Sequence, residues 1–503
     1  MSDLLSNILS FSPQTVPRLV SDAEYDEQIR NHFAHLTQIL PARFAGGYAE
    51  ALDLLQLLDP SVHSLSYLLI FHYHILAFQK KTNQTVPEDV HPGKNLWSKA
   101  VLFLRVFDPI QVRYAGHEWR GVVELVAKAA EIVNKPILAL RPIRDAILRL
   151  DPSGASFTSN HVLFGRLCLR ARAYLMALPV IDKDIFYFPS GTDRAHYRRH
   201  QPFLCAQHEC SAAFITHTSG FSTKLTYRDH LQYFVYSSMI FMGLKEWKKA
   251  LHILSIVISL PSINVVSMIM VEAYKKWILL SLLETGRPLP LPNMTPPHMA
   301  NLYRSLARPY EALADIFKKG NADRLKAEVD VGRSIWQMDN NTGLVEQVLA
   351  ACRQHSILKM GNTFAALTMT DLSHRTMLND VNFKEDELLA SSLIISRKLN
   401  ATLLNRKDTF SSTMLRFSTS VPSTDVNKET SIQQPLLIER QRLMVLCANV
   451  NESDKRLQLT KEHINTLRKG LKRNDNGPRD GSTLSKGASP EFDFEEDMMA
   501  DLQ

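Results

Sequence analysis

Glycine is scarce in this chain, at 19 of 503 residues, and that disfavours a turn-rich all-β fold. Cysteine is rarer. Cys168, Cys205, Cys210, Cys352 and Cys447 are odd in number and mostly far apart, which is the pattern of free thiols in a reducing compartment. The opening MSDLLSNILSFSPQTV has no basic stretch followed by a long apolar run, so it does not read as a signal peptide. Long hydrophobic runs are also missing. The nearest imitation is the uncharged stretch between Lys249 and Glu272, but His252, Pro261 and Asn264 interrupt it. It parses as two buried helices meeting at Pro261 and not as a membrane span. There is no glycine-rich phosphate loop, and no serine sits in a nucleophile elbow.

What is present is an ordinary soluble composition, 45% apolar and 22% charged, with an uneven net charge of +7. From Leu471 onward eight acidic residues face four basic ones, so this tail carries −4 and the rest of the chain +11. A basic body suits nucleic acid or acidic protein surfaces, and charge alone does not choose between them.

Helical periodicity dominates residues 45–360. Apolar residues recur three and four apart through Ala51, Leu54, Leu55 and Leu58, through Leu65, Leu68, Leu69 and Ile75, and through Val122, Leu125, Val126 and Ala129. Prolines 60, 92, 109, 136, 152 and 261 fall between the runs, as does PLPLPNMTPP. This spacing predicts a helical array. Two segments share a finer pattern, with Gly165, Cys168, Tyr174 and Ala177 in one matching Ser238, Phe241, Trp247 and Ala250 in the other. Small residues let antiparallel helices approach while an aromatic fills the wedge by the turn, which is the logic of tetratricopeptide-like pairs that bury their faces by stacking. Trp247 and Ala250 are expected to be buried together. Residues 188–224, rich in His, Ser, Thr and aromatics, break the array and read as a long surface loop.

After Met360 the rhythm changes. TFAALT reads as a strand, TDLSHRTML and FKEDELLASSLIISRKL as helices, and NATLLN with TFSSTMLRF as a hairpin. Strand, helix, helix, hairpin is the outline of a winged helix over residues 361–417. The hairpin leaves a free edge, so Leu403, Phe410, Met414, Leu415 and Phe417 are candidates for pairing with a partner's strand. Residues 418–434 read as a polar linker, and a long helix is expected from Pro435 to Leu471. Leu436, Leu443, Val450, Leu457, Ile464 and Leu471 recur every seven residues, with Leu446 and Leu467 adding to the stripe, and such a stripe requires partner helices. Residues 472–503 read as a disordered acidic tail and residues 1–44 as a partly ordered leader.

The catalytic candidates are weak. His72 and His74 in FHYH are two apart, so on a helix they point to nearly opposite faces and cannot share an ion. Cys205, His208 and Cys210 in CAQHEC, near His196, His200 and His217, lack a paired C-x-x-C knuckle. The Phe383–Leu399 helix opens Lys384, Glu385, Asp386, Glu387, which a phosphate backbone would repel, and its basic residues come only at Arg397, Lys398, Arg406 and Lys407. Protein contact is the favoured reading over nucleic acid. No cofactor and no metal is expected.

Helix pairs running into a winged helix resemble the PCI-domain family. Within it, MGLKEWKKAL, VVSMIMVEAYKKWILLSLLETG and DNNTGLVEQ are similar to the subunit-three branch of the COP-nine signalosome, as is the segment FTSNHVLFGRLCLRARAYLMALPVID. The resemblance implies a mainly α fold: a tetratricopeptide-like array over 45–225, the helical part of a PCI domain over 226–360, the winged helix, and a C-terminal bundle helix over 435–471. It further implies a non-catalytic scaffold of the complex that removes a ubiquitin-like modifier from cullins, in nucleus and cytoplasm. Its partners would be the other PCI and metalloprotease subunits and, indirectly, cullin–RING ligases, with no membrane. The proteasome lid and translation-factor or nucleic-acid-binding modules share this architecture.

Overall fold

Apolar residues on one side of the Gly116–Ile132 helix decide where it sits. Trp119, Val122, Val123, Val126 and Ala130 are all buried, and Ala127 and Ala129 keep the flanks narrow. The helices Ser64–Thr82, Ile137–Leu150 and Ser159–Ala171 therefore pack directly on it. The computed structural model describes residues 8–9, 11, 21–44, 49–82, 85–189, 203–206, 211–261, 266–376, 383–396, 398–404, 413–417, 426–458 and 463–469. Two units emerge, one formed by residues 1–233 with 436–503, the other by residues 234–435.

In the first unit the array begins earlier than its sequence suggests. The Asp22–Phe44 helix packs on Ser64–Thr82 and buries Ile29, His32, Leu36, Leu40 and Phe44. His32 Nε2 lies 3.0 Å from Ser66 Oγ, and Tyr114 OH donates to Asp26 Oδ1 at 2.7 Å. The leader is thus tied down by a buried stripe and two polar contacts.

The expected surface loop is corrected more sharply. Residues 190–202 and 207–210 lie outside the described part, but 203–206 and 211–224 form a strap packed into the array. Phe214 and Phe221 are buried, with the Phe221 ring 5.6 Å from Trp119 and 6.4 Å from Phe214. An irregular segment can be buried only if its carbonyls find donors. Arg120 Nη1 donates to Gly220 O at 3.0 Å, and Asn160 Nδ2 to Phe221 O at 3.1 Å. Arg113 Nη1 donates to Leu204 O at 2.9 Å and to Ala206 O at 2.6 Å, while its guanidinium stands 4.0 Å over the Phe214 ring. Gly116 makes the crossing possible, because a Cβ there would lie 2.2 Å from Ser219 O.

The two hairpins matched in sequence have the same turn. Ser159–Ala171 leads into Tyr174–Ile181, and Tyr227–Gly243 into Trp247–Ser259. Arg172 and Lys245 occupy equivalent positions with φ of 53° and 61°. Ala173 N–H donates to Cys168 O and Arg172 N–H to Leu169 O, while Glu246 N–H donates to Phe241 O and Lys245 N–H to Met242 O. Each is a Schellman cap with a long basic residue where glycine is usual. The small residues Gly165, Ala177, Ser238 and Ala250 are buried, as are Cys168 and Phe241. Tyr174 and Trp247 are only half-buried. The expectation of an enclosed Trp247 is corrected: it is the first residue of its helix, where fewer neighbours surround it, and Phe241 is the aromatic that is buried in this hairpin.

The second unit centres on Met268–Thr285, which packs on Trp247–Ser259, Arg308–Lys319 and Thr342–Gly361. The charge-free stretch in the sequence is thus two helices, Trp247–Ser259 and Met268–Thr285. The DNNTG segment ties Met268–Thr285 to Arg308–Lys319. Asp339 accepts from Lys275 Nζ at 2.9 Å and from Tyr310 OH at 2.8 Å, and Asn341 Nδ2 donates to Tyr310 OH at 2.9 Å. Burial alone would lower the Lys275 pKa, but its bonds to Glu272 and Asp339 outweigh that and hold it above its ordinary value. Between Asp339 and Asn341, Asn340 takes φ 52° and closes another Schellman turn.

Two measurements check this account. Gly116→Ala should destabilise the first unit by about 3 kcal/mol, since the new methyl meets backbone that cannot rotate away. An unchanged melting temperature would remove the strap from the core. Lys245→Gly should raise stability by about 1 kcal/mol by relieving the left-handed penalty, whereas Lys245→Val should lower it.

Candidate functional site

Among the described residues the chemistry-bearing side chains do not converge. His74 is buried on Ser64–Thr82, and half-buried His72 faces Gly121 across an open cleft of about 180 Å³ with Phe71, Leu125 and Lys128 in its wall. Burial depresses the pKa of both imidazoles, against weaker opposite effects of Glu118 on His72 and Asp89 on His74. Cys205 Sγ donates to Asp22 O at 2.7 Å, and burial pushes that thiol's pKa up. His217 is exposed, and His196, His200, His208 and Cys210 lie outside the described residues. Among the described residues no three His, Cys, Asp or Glu side chains are grouped to hold a metal ion, and no helix is long and apolar enough to cross a membrane.

The surfaces that remain are backbone edges and apolar faces. A winged helix comes after the Thr342–Gly361 helix: strand β1 (Ala366–Thr368), helices Met369–Thr376 and Phe383–Ile395, then strands β2 (Ala401–Leu404) and β3 (Met414–Phe417). Its core joins Ile357, Leu367, Leu372, Leu393, Leu415 and Phe417. The strand order is β1-β3-β2, antiparallel throughout. β3 is therefore central, and the expectation that Met414, Leu415 and Phe417 offer a free edge is corrected. β1 takes one side of β3 and β2 the other, and Leu415 and Phe417 turn inward. Phe410, Arg397, Arg406 and Lys407 lie outside the described residues. Phe417 N–H donates to Ala365 O, so strand alternation aims Met414 N–H at Leu404 on β2. The same alternation turns the N–H of Leu403 to the outer side of the sheet.

The C-terminal helix begins at Val426, nine residues before the expected start at Pro435, and runs to Gln458. Lys428, Glu429 and Gln434 are good helix formers, and they carry the helix through Pro435 with the loss of one backbone bond. Only residues 418–425 of the expected linker lie outside the described part. Leu436, Leu443, Leu446, Val450 and Leu457 are all exposed, Leu436 at 62% and Leu443 at 59%. Leu437, Ile438, Met444 and Val445 are exposed beside them, so the apolar surface is broader than a seven-residue stripe near its start. Residues 463–469 are helical too, with Ile464 half-buried and Leu467 exposed, while Leu471 is outside the described residues. Asn449 is half-buried where its Oδ1 accepts from Tyr187 OH at 2.7 Å, and Arg442 Nε lies 3.9 Å from Asp184 Oδ2.

Known proteins resemble this chain along nearly its whole length. The family profile described as "COP9 signalosome complex subunit 3, N-terminal helical repeats" matches residues 45–299. COP9 signalosome complex subunit 3 of Emericella nidulans is 42% identical over 485 residues, 96% of each chain. The chain belongs to the COP9 signalosome subunit 3 family. The protein of that description from Neurospora crassa is 27% identical over 498 residues, again 96% of each chain. A subunit 3 family member is by that description part of a larger complex, and the exposed apolar helix is a feature that assembly can use.

Sequence reasoning missed the widening of the apolar face, although LLI at 436–438 and LMVL at 443–446 signal it. It also missed the strand order, which hairpin spacing does not encode. The order leads to a prediction. Met414→Pro should unravel the sheet and lower the stability of the winged helix by about 3 kcal/mol. Leu403→Pro, with its N–H on the outer side, should cost about 1–2 kcal/mol. Equal losses in thermal unfolding would contradict the central placement of β3.

Proposed function

We propose that this subunit 3 family member is a non-catalytic scaffold of the COP9 signalosome, the complex that takes a ubiquitin-like modifier off cullins and thereby controls cullin–RING ligases. Its contacts would be with other PCI and metalloprotease subunits, in nucleus and cytoplasm. The carrying observation is the Val426–Gln458 helix, whose large apolar residues from Leu436 to Leu457 stand in solvent. At about 25 cal/mol per Å² such a face is costly to leave wet and gains several kcal/mol when partner helices cover it. The eight residues Leu436, Leu443, Leu446, Val450, Leu457, Ile464, Leu467 and Leu471 are the proposed bundle contacts.

A second contact is proposed at the outer edge of β2, around Leu403, where a neighbour's strand could extend the sheet. The repeat positions Gly165, Tyr174, Ala177, Phe241, Trp247 and Ala250 act indirectly, by keeping the helices of each hairpin close together.

The test uses the full chain. Leu443→Glu with Val450→Glu should leave the melting temperature within about a degree, because both side chains are already exposed. Recovery of the other signalosome subunits in affinity purification should fall at least about tenfold. Undiminished recovery would sink the bundle reading.

A further inference from the structure

The tail and one face of the array have matching chemistry. Residues 491–503, EFDFEEDMMADLQ, contain Glu491, Asp493, Glu495, Glu496, Asp497 and Asp501 and no basic residue, interleaved with Phe492, Phe494, Met498, Met499 and Leu502. Residues 125–181 of the array show the complement. Lys135, Arg141, Arg166, Arg170 and Arg172 are exposed there, and no acidic residue of that span is. The acids of the span are buried or paired: Asp151 is buried, partly exposed Asp145 is paired to Arg144 at 2.7 Å, and partly exposed Glu131 holds both Arg166 at 3.2 Å and Arg170 at 2.8 Å, while the exposed Asp182 and Asp184 come just beyond the Tyr174–Ile181 helix.

Apolar side chains sit within this basic field. Ile132, Ile137, Leu138 and Leu175 are exposed, Leu175 at 72% and Ile132 at 57%. They lie together because the elements do. Glu131, next to Ile132, reaches Arg166 and Arg170, and Arg144 Nη1 points at Met176 Sδ, 3.8 Å away and next to Leu175. Ile137, Leu138 and Arg141 occupy the first turns of the helix that carries Arg144. One end of the Gly116–Ile132, Ile137–Leu150 and Ser159–Ala171 helices therefore presents apolar residues rimmed by cations.

We infer that the acidic, aromatic segment 491–503 docks in cis on this basic, apolar end of the array. Charge complementarity selects the occupant, and apolar residues on both sides supply contact area that charge alone would not. Chain length permits it. The C-terminal helix is bonded to Tyr187, a few residues beyond the Tyr174–Ile181 helix, and residues 470–490 can extend to roughly 70 Å at about 3.4 Å per residue.

The test places the photoreactive amino acid benzoylphenylalanine at Phe494 of the full-length chain and maps cross-links by mass spectrometry. Links within one chain to peptides covering residues 132–141 or 166–176 are expected. They should fall at least about fivefold at 0.5 M salt, where the screening length is only a few ångströms. They should fall similarly in Lys135→Glu with Arg141→Glu, and in Asp493→Asn with Glu495→Gln and Glu496→Gln, a variant that leaves the array untouched. Links spread over the chain, links only between copies, or links indifferent to both variants would overturn the inference.

Discussion

How closely one helix can approach the next is the constraint on which this structure depends. Interaxial distance is set by the side chains at the crossing. Ala127, Ala129 and Ala130 on one helix, Gly165 and Ala177 in one hairpin, and Ser238 and Ala250 in the other are all small and all buried. Close approach brings large side chains such as Trp119, Phe157 and Phe164 into full burial around them. Larger residues at the crossings would spread the helices and open voids that nothing nearby could fill. The Schellman turns serve the same geometry, since a chain reversal with a fixed hydrogen-bond pattern sets the angle at which the second helix returns.

The array was legible in the sequence because its periodicity is carried by ordinary aliphatic residues with prolines between them. The matched hairpins were legible as well through their small residues, whereas their equivalent left-handed caps at Arg172 and Lys245 emerge only in the structure. The strap at 211–222 was not. Its His, Ser, Thr and Gly content resembles a solvated loop, and the information that buries it lies a hundred residues away in Arg120 and Gly116. Helix Asp22–Phe44 was passed over for a related reason: its apolar stripe of Ile29, Leu36, Leu40 and Phe44 is thin, and His32 takes a core position.

In the winged helix the elements were readable and their pairing was not. TFAALT and TMLRF are each recognisable as strands, but no local signal says that the last strand inserts between the other two. The apolar face of the C-terminal helix was half visible. The seven-residue spacing marked Leu436, Leu443, Val450 and Leu457, while the helical start at Val426 was hidden by a proline that resembles a first-turn residue. Proline position is an ambiguous sign when good helix formers lie upstream.

The strap also has a kinetic consequence. Phe221 covers Trp119, and Arg113 and Arg120 donate to carbonyls that come roughly a hundred residues later in the chain. During synthesis the helices around Trp119 emerge long before that cover exists. At about 5–20 residues per second they wait several seconds with an aromatic face and two guanidinium groups unfinished. Long sequence separation slows closure of such contacts. Apolar surface left open in this interval favours aggregation, and closure of the strap ends it.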